Sequence, residues 1–293
     1  MQKFAASLTG LMLTICSLSV YAESAIRVQA MNYPAWLVRN YQTLPLQPGT
    51  PLQINDLIRT GVSGRVKLQL TDGNVLNLGE ASRFVIENVP RDTLGSVSLQ
   101  TLRGVFRITS AASASASPRR RLKISIGAIS ASFRNADIWG RADLAQDAVC
   151  LVEGEIAVEA ADAGKVQMTQ ALSCYVKPRD QAPLPVDLID IQQHQLWMAE
   201  TELKDDAGIA AADGQWQLVL ISLTDAKSAA KMLASFHQRG FGAQDKTVVR
   251  QERVLHRLLL PGFVSIEAAL KARARVEQAL GVSETWVWKA NQD

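Results

Sequence analysis

The stretch that decides the fold runs from Gln215 to Lys289 and opens with the strand-like run Trp216-Gln217-Leu218-Val219-Leu220-Ile221. Apolar residues then recur at three- and four-residue spacing from Ala226 to Phe236, which is the spacing of an amphipathic helix. The same plan follows a second time, because the apolar run Leu258-Leu259-Leu260 leads into a second helical pattern over residues 266–280. The sequence therefore predicts two strand–helix pairs in succession.

Capping residues mark the ends of both predicted helices. Thr224 or Asp225 can cap the first helix at its N-terminus, and Ser265 can cap the second. Gly240 and Gly281 follow the two apolar patterns and can end the helices in the left-handed conformation. Each helix thus has a start signal and a stop signal at the expected distance.

A short alternating strand, Thr285-Trp286-Val287-Trp288-Lys289, closes this stretch, and a further strand is predicted between Phe241 and Arg250. The resulting order is β-α-β-β-α-β. That order normally folds as a ferredoxin-like, four-stranded antiparallel sheet with both helices on one face. We therefore predict an α+β domain over residues 214–293.

The face of this sheet that turns away from the helices is the candidate binding surface. Strand alternation assigns to it Gln217, Val219, Ile221, Arg257, Leu259, Trp286 and Trp288. Two tryptophans beside an arginine and a glutamine are typical of a surface on which sugar rings stack. The alternative is that this largely apolar face is covered by another domain or by a partner chain.

Residues 214–293 resemble a SPOR domain. The run from Trp216 to Leu223 is similar to the first strand of that family, and Arg257-Leu258-Leu259-Leu260-Pro261-Gly262-Phe263 is similar to its third strand. The resemblance implies binding to peptidoglycan glycan strands that have lost their stem peptides, with a place in cell division. Val219 and Ile221 depart from the family pattern and make the face more apolar.

Residues 1–22 have the pattern of a secretory signal peptide. They carry a single basic residue and an apolar core from Leu8 to Val20, and they end in Val20-Tyr21-Ala22. Ile15 stands before Cys16 where a lipoprotein signal needs a small residue. No later stretch approaches the roughly 18 apolar residues of a membrane span. We expect an exported, soluble, periplasmic protein.

Length and composition indicate a globular chain of two domains. The chain has 293 residues, of which 47% are hydrophobic and 20% charged, and domains usually take about 100 to 200 residues each. A net charge of +3 gives no support to nucleic-acid binding. After signal cleavage Cys150 and Cys174 remain, and an oxidising compartment favours a disulfide between them. Two buried free thiols are the alternative.

Residues 23–186 are predicted to form an all-β sandwich or roll, because short strands follow one another at close spacing. Residues 65–70 alternate between polar and apolar side chains, which indicates a half-buried strand. Asp72-Gly73 then predicts a tight hairpin that returns through residues 75–78.

This first half resembles a FecR-type domain over residues 45–160. The residues that carry the resemblance are Asn55-Asp56-Leu57-Ile58-Arg59-Thr60-Gly61, Thr71-Asp72-Gly73-Asn74-Val75-Leu76-Asn77-Leu78 and Val152-Glu153-Gly154-Glu155-Ile156-Ala157-Val158. The resemblance implies a support or recruitment module that meets an envelope protein. FecR regulators in the strict sense cross the inner membrane, and the absence of a second apolar span predicts that this chain does not carry such a signal alone.

The segment between the two domains, residues 187–213, is predicted to be a helical arm followed by a flexible linker. A helical pattern runs from Val186 to Lys204, and the residues from Asp205 to Gly214 are small and acidic. Residues 111–117, a serine and alanine alternation, are predicted to be an exposed loop.

The sequence predicts neither an enzyme nor a metal or cofactor site. His194, His237 and His256 fall in three different segments and lack the spacing of metal ligands. No carboxylate pair is placed like the acid and base of a glycosidase, and no phosphate-binding glycine loop is present.

We therefore interpret the chain as an exported, non-enzymatic, two-domain protein of the cell envelope. In the main hypothesis a FecR-like domain supports or recruits, while a SPOR-like domain binds denuded glycan strands. The alternative hypothesis is a periplasmic protein-interaction scaffold in envelope regulation, in which the face of the C-terminal sheet docks onto protein.

Overall fold

The structure, a computed structural model, describes residues 26–70, 73–90, 95–110, 120–250 and 252–290. The predicted signal peptide, the predicted loop at 111–117 and the turn residue Asp72 lie outside them. The helices are α1 (Ile191–Thr201), α2 (Ala226–Gln238) and α3 (Ile266–Leu280). The strands up to residue 109 are β1 (Ile26–Asn32), β2 (Ala35–Arg39), β3 (Gln42–Pro45), β4 (Pro51–Leu52), β5 (Leu57–Thr60), β6 (Arg65–Gln69), β7 (Val75–Leu78), β8 (Arg83–Asn88) and β9 (Ser96–Thr109). The later strands are β10 (Arg121–Ile126), β11 (Ile129–Phe133), β12 (Ala136–Ala142), β13 (Gln146–Gly154), β14 (Ile156–Ala160), β15 (Gly164–Met168), β16 (Ser173–Pro178), β17 (Asp187–Leu188), β18 (Ala210–Ala211), β19 (Trp216–Leu223), β20 (Gln244–Arg250), β21 (Arg253–Phe263) and β22 (Trp286–Lys289).

The first half of the chain folds as two β-sheets around one core, as the sequence predicts. The sheet we call the short sheet has the strand order β3-β2-β5-β8-β9-β10-β11-β14-β15. The sheet we call the long sheet begins with the order β17-β16-β13-β12-β9-β7-β6-β1. Apart from the parallel pair of β9 and β10, all of these neighbours are antiparallel.

Strand β9 belongs to both sheets and turns the corner between them at Gly104. Its first part pairs with β8 and β10 in the short sheet, and its last part pairs with β7 and β12 in the long sheet. Gly104 has a φ of +97°, and a Cβ atom at this position would lie 2.2 Å from the hydroxyl oxygen of Ser82. The bend therefore requires glycine.

The predicted hairpin is present, since β6 and β7 pair with Gln69 opposite Val75. The predicted disulfide is also confirmed, because Cys150 and Cys174 stand directly opposite each other on β13 and β16 and are joined by it.

Helix α1 lies over these strands. Its Trp197 stacks on Trp139 of β12, with ring centroids 4.4 Å apart and an interplanar angle of 4°. The arm is therefore packed onto the long sheet by aromatic stacking.

The C-terminal part has the predicted order of elements. Its strands neighbour one another in the order β22-β19-β21-β20, and every pair is antiparallel. Asp225 caps α2 by accepting a hydrogen bond from the backbone of Ser228, and Ser265 caps α3 in the same way. Gly281 ends α3 with a φ of +68°. We call residues 214–290 the C-terminal unit.

Residues 205–214 are predicted to be a flexible linker, but residues 210 and 211 within them form strand β18 of the long sheet. Ala210 and Ala211 of β18 pair with Met31 and Ala30 of β1, and Ala210 also pairs with Phe263 of β21. The long sheet therefore continues through β18 into β21, β19 and β22. The small side chains suggested mobility, but two alanines suit a strand that is packed between two others.

One hydrophobic core extends across both halves of the chain. It includes residues of β1 and β6 as well as residues of β19, β21 and α3, so it is common to both sides of the predicted boundary at residue 213. We call the contact between the two halves the seam.

Asn32, at the end of β1, holds the segment of the chain that leads into the seam. It is fully buried, and its side-chain amide donates hydrogen bonds to the carbonyl oxygens of Lys204 (3.0 Å) and Gly208 (2.9 Å). Its side-chain oxygen accepts a hydrogen bond from the backbone N–H of Lys204 at 2.8 Å. Asn32 thereby satisfies backbone groups that burial would otherwise leave unpaired.

Tyr33 is the apolar centre of the seam. Its ring is 1% exposed, stacks on Phe241 with centroids 5.8 Å apart, and lies 6.5 Å from the ring of Phe263. Arg275 of α3 donates hydrogen bonds to the carbonyl oxygens of Tyr33 and Ala207. The hydroxyl of Tyr33 has no hydrogen-bond partner in the part of the chain that the structure describes, and burial raises its pKa.

Replacing Tyr33 should reveal whether the seam stabilises the whole fold. Tyr33→Ala should lower the free energy of unfolding by about 3 to 5 kcal/mol, because it leaves a cavity at the seam. Tyr33→Phe should be neutral or stabilising, because it removes a buried hydroxyl without a partner. Urea unfolding followed by tryptophan fluorescence measures both.

Tyr41 provides the matched control, since its side chain is fully exposed. Tyr41→Ala should change the free energy of unfolding by less than about 0.5 kcal/mol. A Tyr33→Ala variant that is as stable as Tyr41→Ala would show that the seam contributes nothing to stability.

Candidate functional site

The face of the C-terminal sheet that turns away from α2 and α3 brings most of the predicted site residues together. Val219 of β19 stands opposite Trp286 of β22 on one side and Leu259 of β21 on the other. Gln217 stands opposite Trp288. Residues that are paired directly across strands point to the same face, and so do residues two apart in one strand.

Arg257 joins this face because it lies two residues from Leu259 on β21. Its guanidinium carbon lies 5.4 Å from the centroid of the Trp288 ring, which is a cation–π contact. Six of the seven predicted residues therefore share one face.

Ile221 does not share that face, and its predicted position is wrong. The register between β19 and β21 shifts between Val219 and Ile221, so that Ile221 stands opposite Leu258. Its side chain packs against the main hydrophobic core. A β-bulge inserts one extra residue, and every later side chain in the strand then points to the opposite face from the one that simple alternation predicts.

The shared face is only partly open to solvent. Val219 and Leu259 are buried, and Arg257 is 7% exposed. Trp286 is 37% exposed and is the most open of the tryptophans on this face. Within the described residues, the face therefore offers a restricted polar site rather than a broad flat platform.

Three polar atoms on this face are buried and find no hydrogen-bond partner among the described residues: Oε1 of Gln217, Nε of Arg257 and Nε1 of Trp288. We call these three residues the tryptophan–arginine site. Burial of an unpaired polar atom is unfavourable, and such atoms in a native structure call for an explanation. Two N–H donors and one oxygen acceptor would suit an amide or a hydroxyl of a ligand, but each atom is buried, so a side chain must rotate before a ligand can reach it.

Glu277 of α3 fixes the start of the strand that carries both tryptophans. Its Oε1 accepts hydrogen bonds from the hydroxyl of Thr285 at 2.7 Å and from the backbone N–H of Thr285 at 3.2 Å. The hydrogen bond from the Thr285 side chain is the main reason that the pKa of Glu277 is lowered, and Arg273 adds a second hydrogen bond. Local patterns in the sequence do not reveal this role of Glu277, because its partner lies eight residues away beyond the end of the helix.

Glu277 should make the stability of this site depend on pH. Because its pKa is lower in the folded protein than its ordinary value of 4.5, its contribution is present above that value and is lost as the pH falls through the folded pKa. Glu277→Gln should therefore flatten the loss of stability between neutral and acidic pH. Urea unfolding at a series of pH values measures the change.

Glu284→Gln is the matched control, since Glu284 is an exposed carboxylate in the loop between α3 and β22. Equal pH profiles for the two variants would contradict the role of Glu277.

The three histidines lie in separate elements, α1, α2 and β21. Nε2 of His237 is 2.8 Å from the carbonyl oxygen of Ala243, and Nδ1 of His256 is 2.8 Å from a carboxylate oxygen of Asp245. In the described part of the chain, no group of three His, Cys, Asp or Glu residues is arranged to hold a metal ion. Among the same residues, no helix has both the length and the apolar character needed to cross a bilayer.

Comparison with known proteins identifies one domain within the first half of the chain. Residues 56–166 match the family model described as FecR protein, which confirms the predicted FecR-type domain. FecR proteins are associated with the cell envelope. The comparisons give no evidence for a SPOR domain in residues 214–293, and no match was found among the curated proteins.

Two crystal structures of a candidate anti-sigma factor from Parabacteroides distasonis ATCC 8503 show partial structural similarity to this chain. The structure at 1.65 Å resolution has a TM-score of 0.40 and 10% sequence identity, and the alignment covers 68% of this chain and 97% of that chain. The structure at 2.50 Å resolution has a TM-score of 0.41 and 10% identity, with 81% and 99% covered.

Proposed function

We propose that the protein is a non-enzymatic signalling scaffold of the cell envelope that docks onto another envelope protein. The observation that carries this proposal is the FecR domain at residues 56–166. This function is the alternative hypothesis drawn from the sequence. The FecR match supports it better than it supports glycan binding.

The seam supports a scaffold in which the two halves keep a fixed geometry. Asn32 and Tyr33 connect β1 to the segment before the C-terminal unit and to the unit itself. Trp36 of β2 donates a hydrogen bond from its indole N–H to the carbonyl oxygen of Gln238 at the end of α2. A partner held by one half would therefore be positioned relative to the other half, which is what a scaffold requires.

Crosslinking in living cells tests the proposal. The intact chain should crosslink to a defined envelope protein, and Tyr41→Ala should do so as well. Tyr33→Ala should lose most of this product, because a weakened seam no longer holds the two halves in one geometry. Wild-type protein that crosslinks only to itself or to cell-wall glycan would contradict the proposal.

Binding of denuded peptidoglycan strands is the second candidate function, and the tryptophan–arginine site favours it. N-acetylated sugars present amides and hydroxyls, which would pair with the polar atoms of Gln217, Arg257 and Trp288 once side-chain rotation exposes these atoms. Trp286, on the same face, could stack on a sugar ring. In this case the C-terminal unit would act as a SPOR-like, ferredoxin-like module.

Trp288→Ala tests this second candidate in the full-length chain. Binding to amidase-treated sacculi should weaken by roughly 1 to 2 kcal/mol if the site stacks sugars. Val287→Asp should instead destabilise the fold, because Val287 packs against the core and the carboxylate would be buried without a partner. Cosedimentation measures binding and thermal melting measures stability. Equal binding by wild type and a folded Trp288→Ala variant would exclude this function.

A further inference from the structure

Three arginines stand in one row across neighbouring strands of the short sheet. Arg59 of β5 is paired with Arg83 of β8, and Arg83 is paired with Arg103 of β9. Directly paired residues point to the same face, so the row spans about 10 Å between its outer Cα atoms. Trp36 of β2 continues the row, with the guanidinium of Arg59 lying 5.4 Å from the centroid of its ring.

Among the described residues, three carboxylates line a cleft at the Arg103 end of this row, and none of them forms an ion pair with the row. Arg103 lines a cleft of about 300 Å³ together with Glu80, Asp143 and Glu200. Glu80 accepts a hydrogen bond from the backbone of Ser63, and Asp143 accepts two from backbone N–H groups of its own turn. Both carboxylate oxygens of Glu200 accept a hydrogen bond from Nη2 of Arg141, which is outside the row.

The row therefore brings three positive charges together, and the carboxylates of the cleft offset them only at the Arg103 end. Within the described residues Arg83 and Arg103 are exposed and make no ion pair or side-chain hydrogen bond. Like charges placed directly opposite each other across strands destabilise a sheet. Two such pairs side by side are readily explained if a ligand supplies the opposite charge.

We propose that this arginine row binds an acidic segment of a partner protein. Arginine pairs with carboxylates through two parallel hydrogen bonds, and arginine and tryptophan are enriched at the energetic centres of protein interfaces. Leu57 and Val85 form the next cross-strand pair on the same face, and Leu102 beside the row is 49% exposed. These apolar neighbours favour a peptide over a small inorganic anion. The inference rests on the proposed function, because it names the face by which the scaffold holds its partner.

Binding of a synthetic peptide that alternates glutamate and threonine tests the inference on the purified full-length chain. Fluorescence anisotropy should show binding that weakens as salt is added. Arg83→Glu should weaken binding by about tenfold or more, since it removes one charge and adds a repulsive one. Arg83→Gln should weaken binding less and leave the melting temperature unchanged or higher, because it relieves the repulsion from its two neighbours.

Arg253→Glu is the matched control, because Arg253 is an exposed arginine on β21, outside the row. It should leave peptide binding within about twofold of wild type, since it makes the same change in net charge at a distant place. Equal losses in Arg83→Glu and Arg253→Glu would overturn the inference, because net charge alone would then explain binding.

Two further ligands test whether the row prefers an acidic peptide to a membrane surface or to free phosphate. Vesicles of phosphatidylglycerol and inorganic phosphate should bind more weakly than the peptide, without dependence on Arg83. Vesicle binding that requires Arg83, with no peptide binding, would overturn the inference in favour of a membrane-facing surface. Such a failure would leave the crosslinked envelope partner of the intact chain unaffected, so it can be told apart from a failure of the proposed function.

Discussion

The hydrogen bonds of Asn32 are the constraint on which the arrangement of the two halves depends. The amide of Asn32 is fully buried and binds three backbone groups of Lys204 and Gly208. These bonds fix the segment that leads into β18, and β18 then bridges β1 and β21. The stacking of Tyr33 on Phe241 adds apolar contact beside the same bonds. A FecR domain and an α/β unit thereby share one sheet and one core.

The two candidate binding surfaces inherit their geometry from this shared framework. The tryptophan–arginine site lies on strands that continue the long sheet, while the arginine row lies on the short sheet of the FecR domain. Trp36 connects the arginine row to the C-terminal unit. It makes a cation–π contact with Arg59 and donates a hydrogen bond to the carbonyl oxygen of Gln238. A partner on one surface and a ligand on the other would be held at a fixed distance.

Local patterns in the sequence predict the elements well, and long-range contacts explain what they miss. The alternation over residues 65–70 identifies β6, and the helix caps at Asp225 and Ser265 are correct, because these signals lie within a few residues of each other. The position of Ile221 is wrong because a bulge depends on the neighbouring strand. The sequence of residues 205–214 does not predict strand β18 either, because a strand of two alanines is defined only by its partners. The arginine row depends on register, which single-strand patterns do not contain.

Calorimetric melting of residues 23–293 tests most directly the central claim that both halves share one core. The account predicts a single transition whose calorimetric enthalpy equals its van't Hoff enthalpy. Two separate transitions, or a C-terminal unit that melts at an unchanged temperature after residues up to Asn32 are removed, would contradict it.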